Sequence, residues 1–131
     1  MAAVKFGQVI QADIEAGPWP LVSTRGPERF DLVVVTNYLW RPLWTTILES
    51  VAQGGLLIYE TFMQGNAAFG KPSNPAFLLQ PGELLHQCRS MSVLAFEQGL
   101  LSEPSRCVQR IIARRDSVAS SVPLPRLDSL K

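Results

Sequence analysis

Cysteine, histidine and net charge are all scarce in this chain, and each scarcity removes a class of function. The two cysteines, Cys88 and Cys107, have neither metal-ligand nor redox spacing, so no metal site is expected and buried free thiols in a reducing cytosol are. The single histidine, His86, sits at helical spacing in ELLHQC and suits a surface or boundary position better than a catalytic one. Twelve basic residues against eleven acidic ones leave a net charge of +1, too balanced for an electrostatic nucleic-acid binder. No apolar run approaches the roughly 20 residues that cross a bilayer, and MAAVKFGQVIQADIE lacks a signal peptide's apolar core and cleavage site. A cytoplasmic protein with no nucleic-acid or membrane partner is the expectation. No G-x-G-x-x-G and no G-x-S-x-G is present, which removes a glycine-rich cofactor turn and a hydrolase elbow.

What is present is organised around Arg29–Phe62, which has the pattern strand, helix, strand. Leu32–Val35 and Leu56–Ile58 are apolar runs, the second ending in Glu60 and Thr61. Their near-continuous hydrophobicity predicts strands buried on both faces and paired in parallel. Pro42 suits a first helical turn, and Leu43, Ile47, Leu48 and Val51 fall at helical spacing on one face. Gly54 and Gly55 are expected to stop that helix, because glycine tolerates the left-handed closing conformation. A right-handed βαβ unit results.

With 131 residues, 47% hydrophobic and 18% charged, one soluble globular domain is predicted over residues 1–115, followed by a loose tail at 116–131. Residues 4–14 hold one short strand ending at Asp13, and Gly17–Glu28 is a loop. After Phe62, MQGNAAFGKPSNPAFLLQPG is too long for an ordinary connection, and its Phe69, Phe77, Leu78 and Leu79 favour a packed loop. Glu83–Ser90 is predicted helical, with Leu84, Leu85 and Cys88 on one side. Ser92–Gln98 and Cys107–Arg114 form an antiparallel pair at a sheet edge, joined by GLLSEPSR.

Gly65–Pro72, GNAAFGKP, copies the phosphate-loop spacing, but Pro72 replaces the hydroxyl residue that would bind magnesium, and no helix pattern follows. It is a chance match. Three polar strand ends are better candidates: Asp13, Thr36-Asn37-Tyr38, and Glu60-Thr61. In open α/β sheets ligands sit beyond the carboxyl ends of the strands, where all three groups fall. Each also has a plain structural role open to it. Burial stops at strand ends, Asn37 suits a helix cap, and Tyr38 and Trp40 suit a core with a polar tip.

FDLVVVTNYLWRPLW, AQGGLLIYETF and FGKPSNPAFLLQPGELL resemble the second half of a class I S-adenosylmethionine-dependent methyltransferase. The small bacterial tellurite-resistance-like subgroup is the nearest pattern, and the resemblance runs from about Gln11 to Arg114. It implies a partial Rossmann-like α/β sheet from the strand order 3-2-1-4-5-7-6, mostly parallel with an antiparallel C-terminal edge strand. The family's first two strands, with their glycine-rich turn and ribose-binding acid, are lacking.

Carried over by resemblance, Asp13 and the backbone of Ile14 contact the adenine, and Thr36 and Asn37 line the cofactor site. Asn37, Tyr38, Glu60 and Thr61 surround the methyl-transfer centre, with Glu60 the proton acceptor, and the Gly65–Pro81 loop lies over the acceptor. The implied activity is methyl transfer from S-adenosylmethionine to a small-molecule acceptor. The alternative is an inactive, truncated module that pairs with another chain through an open sheet edge, as a homodimer or with a missing N-terminal portion. Residues 4–14 are expected to pair in parallel with 32–36, for about five strands.

Overall fold

In the computed structural model, which describes residues 7–116, both strands of the βαβ unit and the C-terminal hairpin form one sheet. A small hairpin comes first, β1 (Val22–Ser23) against β2 (Gly26–Pro27). Then follow β3 (Phe30–Thr36), a 3-10 turn at Arg41–Leu43, α1 (Trp44–Glu49) and β4 (Val51–Phe62). The long loop contains 3-10 turns at Asn66–Ala68 and Pro75–Phe77 and leads to α2 (Glu83–Gln87), β5 (Ser92–Leu101) and β6 (Arg106–Arg114). The four-stranded sheet has the order β3-β4-β6-β5. β3 and β4 are parallel; β6 is antiparallel to both of its neighbours.

The mixed α/β class and the parallel βαβ unit are as expected, and four features differ. First, the C-terminal strand is not at the edge. β6 lies between β4 and β5, because its alternating face of Gln109, Ile111 and Ala113 is almost fully buried while β5 leaves Leu94 and Leu100 exposed. β3, β4 and β5 run one way and β6 the other, so only one of the three pairings is parallel.

Second, residues 7–14 form no strand and do not pair with 32–36, so among the described residues the sheet has four strands. The Asp13 carboxylate accepts the N–H groups of Glu15 (3.1 Å) and Ala16 (3.0 Å), and Gly17 N–H donates to the Asp13 carbonyl (2.9 Å). Those bonds close a turn where a strand was expected to end. Positions 4–6 and the tail beyond Asp116 lie outside the described residues.

Third, the helix stops at Ser50, whose hydroxyl donates to the Ile47 carbonyl (2.6 Å), and not at the glycine pair. The Arg115 guanidinium caps the same end, donating to the carbonyls of Val51 (2.8 Å) and Leu48. Gly54 and Gly55 instead serve an irregularity where β4 enters the sheet: the register with β3 jumps between Phe30 and Leu32. A Cβ on Gly55 would lie 2.9–3.1 Å from the carbonyl oxygens of Ala52, Phe30 and Asp31, so only glycine fits between those backbones.

Fourth, β3 is not buried on both faces. Val33, Val35, Leu57, Tyr59, Ile111 and Ala113 share the face on which α1 and α2 pack, contributed by Trp44, Ile47, Leu84 and Cys88. On the other face Leu32 and Val34 are 54% and 55% exposed. Leu56, Ile58 and Ile112 continue that apolar strip, half-buried.

The hairpin and the second helix are close to expectation. β5 runs to Leu101, three residues beyond the expected Gln98, and α2 ends at Gln87. Leu84 and Cys88 face inward, as i and i+4 spacing on a helix dictates, whereas Leu85, expected on the same side, is turned about 100° from Leu84 and is 40% exposed. Both cysteines are free and buried, and burial pushes the Cys88 thiol up to about 11, which keeps it protonated and inert.

Candidate functional site

Two polar strand ends, at the C-termini of β3 and β4, meet at one rim of the sheet. Thr36 is the last residue of β3, opposite Glu60. Asn37 follows in the left-handed region (φ 54°), a conformation that asparagine tolerates better than most, and its N–H donates to the Glu60 carbonyl (2.9 Å). That kink turns Tyr38 back over the core face, where its carbonyl accepts the Tyr59 hydroxyl (2.6 Å). The Tyr38 hydroxyl donates to Glu15 (2.9 Å). Burial and the Glu15 carboxylate push the Tyr38 phenol up to about 12, so it remains a protonated donor at neutral pH. Tyr59 is likewise raised, chiefly by burial.

A cleft of about 340 Å³ opens at this rim, lined among others by Glu15, Asn37, Tyr38, Thr61, Phe62 and Phe77. Phe62, Pro72 and Phe77 also wall a neighbouring hollow of about 550 Å³ that includes Lys71 and Asn74. Thr61 is nearly fully buried, with 2% exposure.

The structure thus brings Asn37, Tyr38 and Thr61 together and leaves the other candidates elsewhere. Glu60 belongs to the opposite sheet face, where Arg110 donates to it (3.2 Å) and also pairs with Glu97. Thr36 shares that face. Asp13 is exposed, with one carboxylate oxygen engaged by its own turn, and a Cβ on Gly17 would lie 2.7 Å from the Asp13 carbonyl oxygen, so the turn requires glycine. Ile14 packs toward Trp19 along β3. His86 is exposed. Among the described residues no group of three or more His, Cys, Asp or Glu is placed to hold a metal ion, and no helix is long and apolar enough to cross a membrane.

Strand parity already carried part of this. Glu60 and Thr61 are adjacent in a strand, so their side chains leave opposite faces of the sheet. Glu15, Phe62 and Phe77 carried no such signal, because a turn and a long loop deliver two of them.

Three polar residues hold the loop that forms the outer wall. Asn66, 2% exposed, donates to the Pro72 carbonyl (3.0 Å) and accepts the Cys107 N–H (3.0 Å). Gln109 is fully buried and ties the end of the loop to the start of α2. Arg41 donates to the carbonyls of Ala76 and Leu78 (both 3.0 Å) and forms a two-point ion pair with Glu83 (2.8 and 2.9 Å). Leu78 and Leu79 are buried as a packed loop requires, while Phe69 and Phe77 are 48% and 49% exposed.

Burial raises the Glu83 carboxyl, but the Arg41 and Gln80 hydrogen bonds outweigh it and hold the group below the ordinary 4.5. A depressed carboxylate contributes stability that is present above its unfolded pKa and lost as pH falls through the folded value. Arg41→Met is expected to cost about 1–2 kcal/mol at pH 7, a figure discounted for the 37% exposure of the arginine side chain. The difference from wild type should shrink between pH 7 and pH 4, as the unpaired Glu83 takes up a proton. Denaturant melts across that range check it; a pH-independent difference would assign the effect to the two loop carbonyls alone.

No protein-family model and no curated protein matches the chain. Among solved structures it is similar to TehB from Haemophilus influenzae, with a TM-score of 0.53 at 18% identity, over 68% of this chain and 36% of that one. It is also similar to a protein whose structure describes the conversion of a disulfide bond into a thioacetal group during echinomycin biosynthesis (TM-score 0.49, 15% identity, 79% and 54% coverage). At such identity the likeness to TehB is one of fold alone. This chain spans about a third of TehB's length.

Proposed function

We propose that the chain provides the acceptor side of an S-adenosylmethionine-dependent methyltransferase, with a small molecule held in the Asn37–Tyr38–Phe77 cleft. The observation that carries the proposal is the strand order β3-β4-β6-β5 with β6 reversed, which corresponds to the 4-5-7-6 half of the order implied by the sequence resemblance, and a cleft at its C-terminal rim. The described residues fit that group in part. The rim offers a phenol, an amide and a carboxylate to an acceptor, but Asp13 has one carboxylate oxygen tied up in its own turn. Bound at such a site, S-adenosylmethionine supplies an electrophilic methyl group.

The chain's own contribution is orientation. Tyr38, whose hydroxyl proton goes to Glu15 and whose carbonyl takes the Tyr59 hydroxyl, offers its phenolic oxygen to an N–H or O–H of the acceptor, and Phe62 and Phe77 exclude water from one side. Alignment of nucleophile and leaving group supplies most of the rate in such a transfer.

Calorimetric titration with S-adenosylmethionine tests the proposal, followed by methyl-transfer assays on small acceptors. Micromolar binding, about −8 kcal/mol, is expected. Tyr38→Phe should then lower turnover at least tenfold while leaving cofactor binding in place. Absence of binding would overturn the proposal in favour of a second reading, an inactive module that acts by pairing, which the one-sided pairing of β3 favours.

A further inference from the structure

The two hollows at the rim carry opposite charges. Among the described residues, Glu15 is the only charged side chain lining the Tyr38 cleft. The neighbouring hollow of about 550 Å³ contains Lys71, and no carboxylate lines it. Phe62, Pro72 and Phe77 wall both spaces, so one molecule can reach from the carboxylate to the ammonium. Among the described residues Glu60, Glu83, Glu97 and Asp116 each pair with an arginine, while Lys71 enters no ion pair. Its charge is open to an anion from outside.

Two neutral donors stand beside it. Asn74 uses its Oδ1 to accept the Ala76 N–H (3.0 Å), and its amide hydrogens have no partner among the described residues. The Ser73 hydroxyl lines the same hollow. The backbone that carries these groups is pinned on either side. Asn66 holds the Pro72 carbonyl and Arg41 holds the Ala76 carbonyl (both 3.0 Å). Donors fixed in this way lose little freedom when a ligand arrives.

We infer that Lys71, Ser73 and Asn74 form a carboxylate-binding subsite, and that the acceptor is a small planar hydroxy- or amino-carboxylate. The inference rests on the reading of the Tyr38 cleft as the acceptor site. One lysine balances the single charge of a carboxylate, whereas a phosphate monoester carries about −2. Phe62 and Phe77 suit a flat apolar body between the two ends. At the other end the Tyr38 oxygen and Glu15 accept from the O–H or N–H to be methylated. The charges also set the orientation. A reversed molecule would place its carboxylate against Glu15 and leave Lys71 unmatched.

The test is an NMR titration of the full chain, without S-adenosylmethionine, using para-hydroxybenzoate and the longer para-coumarate, each beside its uncharged amide. At least one acid should bind roughly tenfold more tightly than its amide, the scale of one charge-assisted hydrogen bond, and added salt should narrow the gap. Lys71→Gln should bring acid and amide level, and Lys71→Arg should keep the preference. Lys71 is exposed, so neither variant disturbs the core. Equal affinity of acids and amides for the wild-type chain, no binding of any of the four, or a preference that survives Lys71→Gln would overturn the inference. Because no cofactor enters the readout, an acid preference in a chain that fails to bind S-adenosylmethionine would sink the methyltransferase proposal and leave the carboxylate subsite standing.

Discussion

Tyr59→Ala is expected to cost about 3–5 kcal/mol, the range for removing a fully buried aromatic side chain. Tyr59 is 1% exposed, its ring lies 5.0 Å from that of Trp44, and it stands in β4 between Val35 and Ile111. The same residue bears on the site, because its hydroxyl holds the Tyr38 carbonyl (2.6 Å) and so fixes the bend after Asn37. Tyr59→Phe separates the two roles: it keeps the ring and should cost only about 0.5–1.5 kcal/mol. Thermal and denaturant melts of both variants check the magnitudes. A loss in the phenylalanine variant as large as in the alanine variant would mean that the hydroxyl, not the ring, carries the stability.

Gln109→Ala should be the next largest, at about 2–4 kcal/mol, because it strands buried backbone groups on an element far from β6 in sequence. The Gln109 side chain is fully buried, accepts the Leu84 N–H (2.7 Å) and donates to the Gln80 carbonyl and the Gln98 side chain (both 3.0 Å). Its loss should release the loop end before α2, and hydrogen exchange should rise at Leu84 while β3 and β4 stay protected. Unchanged exchange at Leu84 would show that water or a neighbour replaces the amide. A glutamine inside a strand that alternates Cys107, Ile111 and Ala113 looks like an interruption of the apolar face, yet in the structure it is the hook that places α2.

How much of this was legible can be judged residue by residue. Leu32–Val35 and Leu56–Ile58 announce strands, because a short apolar run has few other ways to bury itself. Their parallel pairing follows from the helix between them. The helix boundary was misplaced because Gly54 and Gly55 serve equally as a helix stop and as a bulge; three carbonyl oxygens crowding Gly55 decided for the bulge. Residues 7–14 misled through Val9 and Ile10, which are 60% and 46% exposed, while the Asp13 turn satisfies the local backbone without a sheet partner. Within the candidate site, Asn37, Tyr38 and Thr61 were found at strand ends. Glu15 was passed over beside Asp13, although it is the carboxylate that reaches Tyr38.

By itself, then, the sequence determined the local elements and their apolar faces, because strand and helix periods are written in neighbouring residues. Only the tertiary structure decided that β6 enters the sheet between β4 and β5, that Glu60 faces Arg110, and that Asn37, Tyr38 and Thr61 meet at one rim. Those outcomes depend on which faces find partners many residues away, and burial of the best-matched apolar faces, which no short window of sequence contains, selects among them.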